Sequence, residues 1–331
     1  MGEHILIFIT GATGFLGRNL CEHLAGQGYA LRALVRPGSN FAFLKRLGVQ
    51  LVAGDVRDAG SVLAAMRGCS QVVHTAAYFR LWGAPPPFVQ TNVEGTRHVL
   101  QAAQRLGVEK LVHISTIIVV GPQPPGAIIT EGTPHRPYPT DNYAKTKARG
   151  ERLALEYHAA GLPVVVLRLG ALYGPHGHYA FNRLFFTEFL HNWRVEVHHG
   201  RHIIFPCFVG NAARGIELAL QKGRPGHIYN ISDNSISHHQ ANLIISKLAG
   251  RSSWRINVPA PLMLNFVSGL EFLSRFTGRE PFYPENLKPY VFEDWRVDSG
   301  KAQRELGFCP MPFIEGARRT LAWYRKIGYR V

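Results

Sequence analysis

Thr10-Gly11-Ala12-Thr13-Gly14-Phe15-Leu16-Gly17 follows directly on the apolar run Ile5-Leu6-Ile7-Phe8-Ile9, and this junction decides the fold. The run has the length of a buried strand, and Phe15, Leu16, Leu20 and Leu24 beyond it recur at helical spacing. A strand that turns sharply into a helix leaves backbone N–H groups without partners. Together with the positive end of the helix dipole, those groups bind phosphate. Glycine is needed where backbone must touch the phosphates and where helix and strand pack closely. A glycine-rich turn with no ligand is the plain alternative, so the rest of the chain must decide.

Outward from this junction, strand-like and helix-like segments alternate. Ala30 to Val35, Val49 to Val52, Gln71 to His74, Lys110 to Ile114 and Val164 to Leu167 read as strands. Between them lie helical stretches such as Ser61 to Met66, Val93 to Leu106 and one including Lys147 to His158. The alternation predicts an α/β fold, a parallel doubly wound sheet with its ligand site at the C-terminal ends of the strands. After Tyr173 the pattern loosens into Phe181 to Leu190, Pro259 to Phe276 and a closing helix, Ala317 to Ile327. We read residues 1–172 as a dinucleotide-binding domain and 173–331 as a smaller, mostly helical substrate lobe. A segment near 205–235, with Ile228 to Ile231 as its strand, returns to the first domain.

The 331 residues suffice for a large core, and no apolar run is long enough to span a membrane. The glycine motif follows the first residues so closely that no cleaved leader is expected. Cys21, Cys69, Cys207 and Cys309 lack metal-ligand spacing and a disulfide pattern, so reduced thiols in a cytoplasm, with no metal, are the simplest reading. The net charge of +15 is scattered, without a basic run or a nucleic-acid motif, which argues against nucleic acid. A solvated basic surface or a peripheral contact with an anionic membrane stays open.

Tyr143-Ala144-Lys145-Thr146-Lys147 puts Tyr143 and Lys147 on one helix face. Ser115-Thr116 ends the strand before it, where such a sheet places its chemistry. A phenol titrates near ~10, and an adjacent ammonium is expected to lower that value. Thr116 would then hold a substrate oxygen while Tyr143 exchanges a proton with it. Each pair alone is common on helix surfaces and at strand ends; their order behind the glycine motif is what carries weight.

These motifs together resemble the extended short-chain dehydrogenase/reductase family over nearly the whole chain. Thr10 to Gly17 matches its T-G-x-x-G-x-x-G, and Tyr143 to Lys147 its Y-x-x-x-K. Gly54-Asp55-Val56-Arg57-Asp58 is similar to its adenine-contacting segment, Val73 to Ala77 to the strand end beneath the cofactor, and Asn92-Val93-Glu94-Gly95-Thr96 to its N-V-x-G-T helix. The resemblance implies a Rossmann-type fold and catalytic roles for Thr116, Tyr143 and Lys147, with Asn92 in support. It implies a cofactor site of Gly11, Thr13, Gly14, Phe15, Leu16, Gly17, Arg36, Asp55, Val56, Thr75, Ala76, Ala77, Ser115, Tyr143, Lys147 and Leu169. Family members also pair through the helices holding Tyr143 and Asn92, so a homodimer is an expectation from resemblance.

The second strand ends Leu34-Val35-Arg36-Pro37-Gly38-Ser39, without the carboxylate that favours NAD(H). Arg36 suits a 2′-phosphate, so NADP(H) is expected over NAD(H), with Arg32 and Ser39 as helpers and Arg18 as an alternative pyrophosphate partner. The family's dehydratases carry an acidic pair after the active-site threonine; this chain has Ile117-Ile118, which cannot move protons. Phe79 and Trp82, and Phe181 and Phe185, lie where the family places its substrate, and aromatic linings suit apolar ligands; packing in the core is the alternative. The turn Phe208-Val209-Gly210-Asn211 lacks the acidic residue usual there. The pattern looks closest to the 3β-hydroxysteroid dehydrogenase, dihydroflavonol reductase and hopanoid-associated reductase branches. It implies a reductase or dehydrogenase of a bulky apolar alcohol or ketone. A sugar-nucleotide epimerase with tightly bound NAD is the alternative enzyme, and a non-catalytic dinucleotide sensor the alternative outside enzymes.

Overall fold

The computed structural model describes residues 5–330. Apart from strands of two or three residues in four two-stranded sheets, the described strands are β1 (Leu6–Thr10), β2 (Ala30–Val35), β3 (Gln50–Ala53), β4 (Gln71–His74), β5 (Lys110–Thr116), β6 (Val164–Leu169) and β7 (Ile228–Ile231). They form one seven-stranded sheet in the order β7-β6-β5-β4-β1-β2-β3, with every pairing parallel. Chain progression reverses between β1 and β4, and such a switch point opens a crevice beyond the carboxyl ends of the strands. The glycine turn stands at that crevice.

Helices cover both faces, which is why the strands read as nearly continuous apolar runs. On one face α1 (Phe15–Gly26) and a later helix, Val209–Lys222, pack Leu20, Leu24, Ile216 and Leu220 against Val112, Ile114 and Val165. On the other, α2 (Ala59–Met66), α3 (Gly95–Arg105) and α4 (Asn142–Ala159) pack Val62, Met66, Val99, Leu100 and Leu153 against Phe8, Val72, Leu111 and Val164. The Val209–Lys222 helix is α5. Asp141 starts α4 by accepting the Ala144 N–H at 2.9 Å.

Beyond the sheet, α6 (His238–Leu248) and α8 (Phe313–Lys326), named with α7 (Ala260–Thr277) between them, enclose a second core of Tyr173, Phe181, Phe186, Phe189, Ile245 and Leu321. The turn that lacks its own acidic residue borrows one. Asp233, two residues past β7, accepts the Phe208 N–H at 2.9 Å and the Asn211 side-chain amide at 2.7 Å. Burial pushes the Asp233 carboxyl up to about 7, against the pull of those bonds.

Candidate active site

The glycine turn is dictated by contact. Gly11 has φ +73, and a Cβ there would lie 2.7 Å from the Ala76 nitrogen. A Cβ on Gly17 would lie 2.1 Å from the Gly11 carbonyl oxygen, so α1 leaves β1 at the closest distance backbone permits. Gly14 caps α1 without any side-chain hydrogen bond, so the first-turn N–H groups face outward for a ligand. The Thr75 hydroxyl donates to the Thr10 carbonyl at 2.7 Å and ties the turn to the end of β4. This cradle fits the pyrophosphate of a dinucleotide.

From the turn a single cavity of about 650 Å³ runs between sheet and lobe. Every residue expected at the cofactor borders it, as do Thr116, Phe79, Phe181 and Phe185. At one end Leu34, Arg36, Asp55, Val56 and Arg57 form a shallow pocket. Arg57, which the sequence reading passed over, hydrogen-bonds Asp55 at 2.8 Å and, with burial opposing, holds its carboxyl below the ordinary range. Arg36 is exposed at the rim. Arg32 and Arg18 are not where they were expected. Arg32 donates to the Arg67 and Ala65 carbonyls behind the sheet edge, and Arg18 lies 4.4 Å over the Phe43 ring while pairing with Glu22. Ser39 spends its hydroxyl on the Arg36 carbonyl.

In the middle of the cavity stand Thr116, Tyr143 and Lys147. Neither the Thr116 hydroxyl nor the Tyr143 phenol hydrogen-bonds another described residue, so both can meet a substrate oxygen. Lys147 is 4% exposed and its ammonium donates to the Ile114 carbonyl. Burial lowers Lys147 to about 8, with Glu151 opposing. The expectation of a lowered phenol is corrected here. Burial, and then the Asp141 carboxylate, push Tyr143 above its ordinary value, and the Phe79 ring lies 4.6 Å from it, centroid to centroid.

Ser115 and Thr116 point to opposite sides of β5, as a pleat requires. The Ser115 hydroxyl therefore turns from the cavity and donates to Glu151 at 2.5 Å, leaving only the rest of the residue at the cavity wall. Glu151, wholly buried on α4, also accepts from Arg168 at 2.7 Å and pairs with His135 at 2.8 Å. Burial would raise its pKa, but the bonds from His135 and Arg168, the Arg168 charge and the Ser115 bond hold the carboxyl at about 2.

Asn92 does not border the cavity; it braces it. It sits in a π-helical turn, Gln90–Glu94, ahead of α3, a geometry that frequently marks functional sites. Its amide donates to the Tyr78 carbonyl at 3.1 Å and the Thr146 hydroxyl at 3.0 Å, and its oxygen accepts the Tyr78 N–H at 2.7 Å. One side chain thus joins the loop after β4 to the helix of Tyr143. Behind it His74 bridges the Thr10 and Thr96 hydroxyls at 2.8 and 3.0 Å, and burial drives its pKa down to about 3. The ring is neutral at physiological pH.

The far end of the cavity is largely apolar, with Phe79, Leu81, Ile118, Leu184, Phe205 and Leu287 among its walls and Arg80, His178, Tyr179, His238 and Tyr290 among its polar groups. Trp82 does not reach it. Its indole donates to Glu271 of α7 at 2.9 Å, and Leu81 takes the wall position instead. Tyr179, His238 and Tyr290 lie in stretches without periodic pattern, so no sequence signal singled them out.

The model of the NAD dependent epimerase/dehydratase family matches residues 7–232. The chain is 30% identical to the sterol demethylase protein B of Methylococcus capsulatus, covering 97% of this chain and 98% of that one. It is 31% identical to a 4-hydroxy-2-methyl-3-oxo-4-farnesyl-3,4-dihydroquinoline-1-oxide ketoreductase of Stigmatella aurantiaca, over 69% of this chain and 68% of the relative. A dTDP-glucose 4,6-dehydratase double mutant from Streptomyces venezuelae, crystallised with NAD, superposes with a TM-score of 0.77 at 28% identity, covering 97% of each chain.

Proposed function

This chain belongs to the NAD dependent epimerase/dehydratase family, an extended short-chain dehydrogenase/reductase, and on that premise we propose that it interconverts a secondary alcohol and a ketone on a bulky apolar molecule, sterol-, isoprenoid- or flavonoid-like, with NADP(H) preferred. The observation that carries the reading is one cavity with Thr116 and Tyr143 at its centre and an apolar wall beyond them. A reduced nicotinamide dinucleotide whose pyrophosphate the glycine cradle would hold would supply the hydride to the carbonyl carbon. Thr116 and Tyr143 hold the carbonyl oxygen, and the phenol gives it the proton. A phenol raised above its ordinary value is protonated at neutral pH, the form that donates. Lys147 keeps a positive charge beneath it, and Asn92 and the Glu151–Arg168 pair fix the helix that carries both. The buried Ile117 and Ile118 follow Thr116 and offer no group for an elimination.

Support for NADP(H) comes from the adenosine end, where β2 closes without a carboxylate and Arg36 and Arg57 supply two guanidinium groups. The sugar-nucleotide epimerase stands as the second reading, favoured by the structural likeness to the dehydratase that holds NAD. The test is NADPH, and separately NADH, with a panel of apolar ketones that includes 3-ketosteroids, read by nicotinamide absorbance. Consumption that Tyr143→Phe abolishes, with cofactor still bound, is expected. No consumption, alongside NAD that copurifies, would give the site to the epimerase.

A further inference from the structure

The helix α7 shows two apolar faces. Its inner face, Met263, Val267 and Leu270, packs on Phe79, Leu81, Tyr179, Leu184, Leu287 and Tyr290, the residues that wall the apolar end of the cavity. Leu262, Phe266, Leu273 and Phe276 recur at the spacing of a single helix face and stand 62%, 48%, 58% and 75% exposed. Phe272, 57% exposed, stacks edge-on against Phe276 at 5.1 Å, and Trp254 and Ile256, before and at the start of the short strand Ile256–Val258 that leads to the helix, are exposed as well. A contiguous apolar face of this kind marks an interaction surface.

Charge selects the occupant. Between residues 251 and 279 the chain carries Arg251, Arg255, Arg275 and Arg279 against one carboxylate, Glu271. Glu271 is turned inward, accepting from the Trp82 indole and the Glu285 N–H. Arg251 and Arg255 are turned to the Phe189–Leu190 segment, whereas Arg275 and Arg279 are exposed, so the outer face presents aromatic and aliphatic groups beside these two guanidinium groups, on a molecule of net charge +15. That combination fits an apolar layer under an anionic surface, the interface of an acidic bilayer. Among the described residues no helix is long and apolar enough to cross a membrane, so the contact lies in the interface plane.

We infer that α7 docks this protein on anionic lipid bilayers, with Leu262, Phe266, Leu273 and Phe276 immersed and Arg275 and Arg279 at the headgroups. The proposed role of the docking, bringing the apolar end of the cavity to a lipid-dissolved substrate, rests on the reductase reading; the docking itself does not.

The test is cosedimentation of the full chain with phosphatidylcholine vesicles, with and without about 30 mol% phosphatidylglycerol. Wild type is expected to bind the anionic vesicles and to lose binding at about 0.5 M salt. The triple substitution Phe266→Gln, Leu273→Gln, Phe276→Gln is expected to weaken binding at least tenfold and to leave NADPH oxidation by a water-soluble ketone unchanged. A nitroxide on Gly269→Cys, where a Cβ meets nothing within 4 Å, reads immersion without deleting a side chain, in a background with the exposed Cys309 replaced by serine. Wild type that ignores anionic vesicles, a triple variant that binds them equally, or a nitroxide that stays in water overturns the docking. So does a wild-type dimer that the triple substitution turns into a monomer, which assigns the face to a second copy. Docking without turnover of any ketone, in either protein, sinks the reductase reading and leaves the docking standing.

Discussion

Replacing Glu151 by glutamine tests the claim that a buried charge network, and not apolar packing alone, holds the helix of Tyr143 and Lys147 on the sheet. Glu151 is fully buried between Arg168, His135 and Ser115, and its carboxyl sits at about 2 where 4.5 is ordinary. That difference is worth about 3 kcal/mol to the folded state at pH 7. Breaking a buried pair by removing one partner costs ~3–5 kcal/mol by an independent route, so the two figures agree. Because the folded pKa is depressed, this stabilisation is complete above about pH 4.5, the unfolded value, and is lost as pH falls toward 2. The same titration makes the gap between Glu151→Gln and wild type shrink by about 1 kcal/mol at pH 4 and about 2 kcal/mol at pH 3. Urea unfolding followed by circular dichroism measures both proteins, with equal m-values required for the comparison. A second arm adds Arg168→Met to Glu151→Met, which removes both charges and is expected to cost less than either change alone. Equal midpoints at pH 7, or a gap that does not move between pH 7 and pH 3, would show that apolar packing alone holds this helix.

Three further outcomes follow from the site. Gly17→Ala forces a Cβ to within 2.1 Å of the Gly11 oxygen; the turn must shift by roughly 1 Å, and NADPH affinity is expected to fall about 100-fold. Fluorescence titration measures this, and binding within a few-fold of wild type would show that the turn does not hold the cofactor. On the NADP(H) reading Arg36→Gln would remove charge-assisted bonds to the 2′-phosphate, so KM for NADPH is expected to rise about 10- to 100-fold with KM for NADH nearly constant; parallel changes in both would discard the assignment. Lys147 is lowered to about 8 by burial; on the proposed chemistry it acts as the ammonium, so kcat/KM for ketone reduction is expected to fall as pH rises through about 8. A profile flat to about pH 9.5 would remove Lys147 from the proton chemistry.

The sheet was legible because its strands are buried on both faces and separate cleanly from the helical periods between them. The glycine turn was legible because its spacing is a consequence of backbone contact within eight residues, and Tyr143 and Lys147 because four positions on a helix return to one face. Legibility failed where a side chain's direction depends on something far along the chain. Trp82 lies in a Pro-rich loop that looked like a substrate surface, yet α7 brings Glu271 to its indole across 189 positions. Arg32 shares a face of β2 with Leu34 and Arg36, but it lies four residues back from Arg36 along the strand, where the Ala65 and Arg67 carbonyls take its guanidinium.

The strand end Ser115-Thr116 shows how narrow the margin is. Two hydroxyls side by side in sequence invite one role, but the pleat gives them opposite faces, and only the partner on each face decides what each does. Thr116 meets open cavity. Ser115 meets Glu151, which stands on α4 one turn beyond Lys147 and reaches Arg168 at the end of β6. Nothing in the spacing of Lys147, Glu151 and Arg168 announces the network, since a carboxylate on a helix and an arginine on a strand are ordinarily solvated. It exists because Gly150 lets α4 close on the π-helical turn: a Cβ there would lie 2.8 Å from the Asn92 carbonyl. With the helix that close, Glu151 is wholly buried and meets the sheet directly at Ser115 and Arg168, and a charge so placed has to be paired. The same close approach sets Asn92 against Thr146 and holds Tyr143 over the cavity, so the buried pair and the catalytic placement have one structural cause.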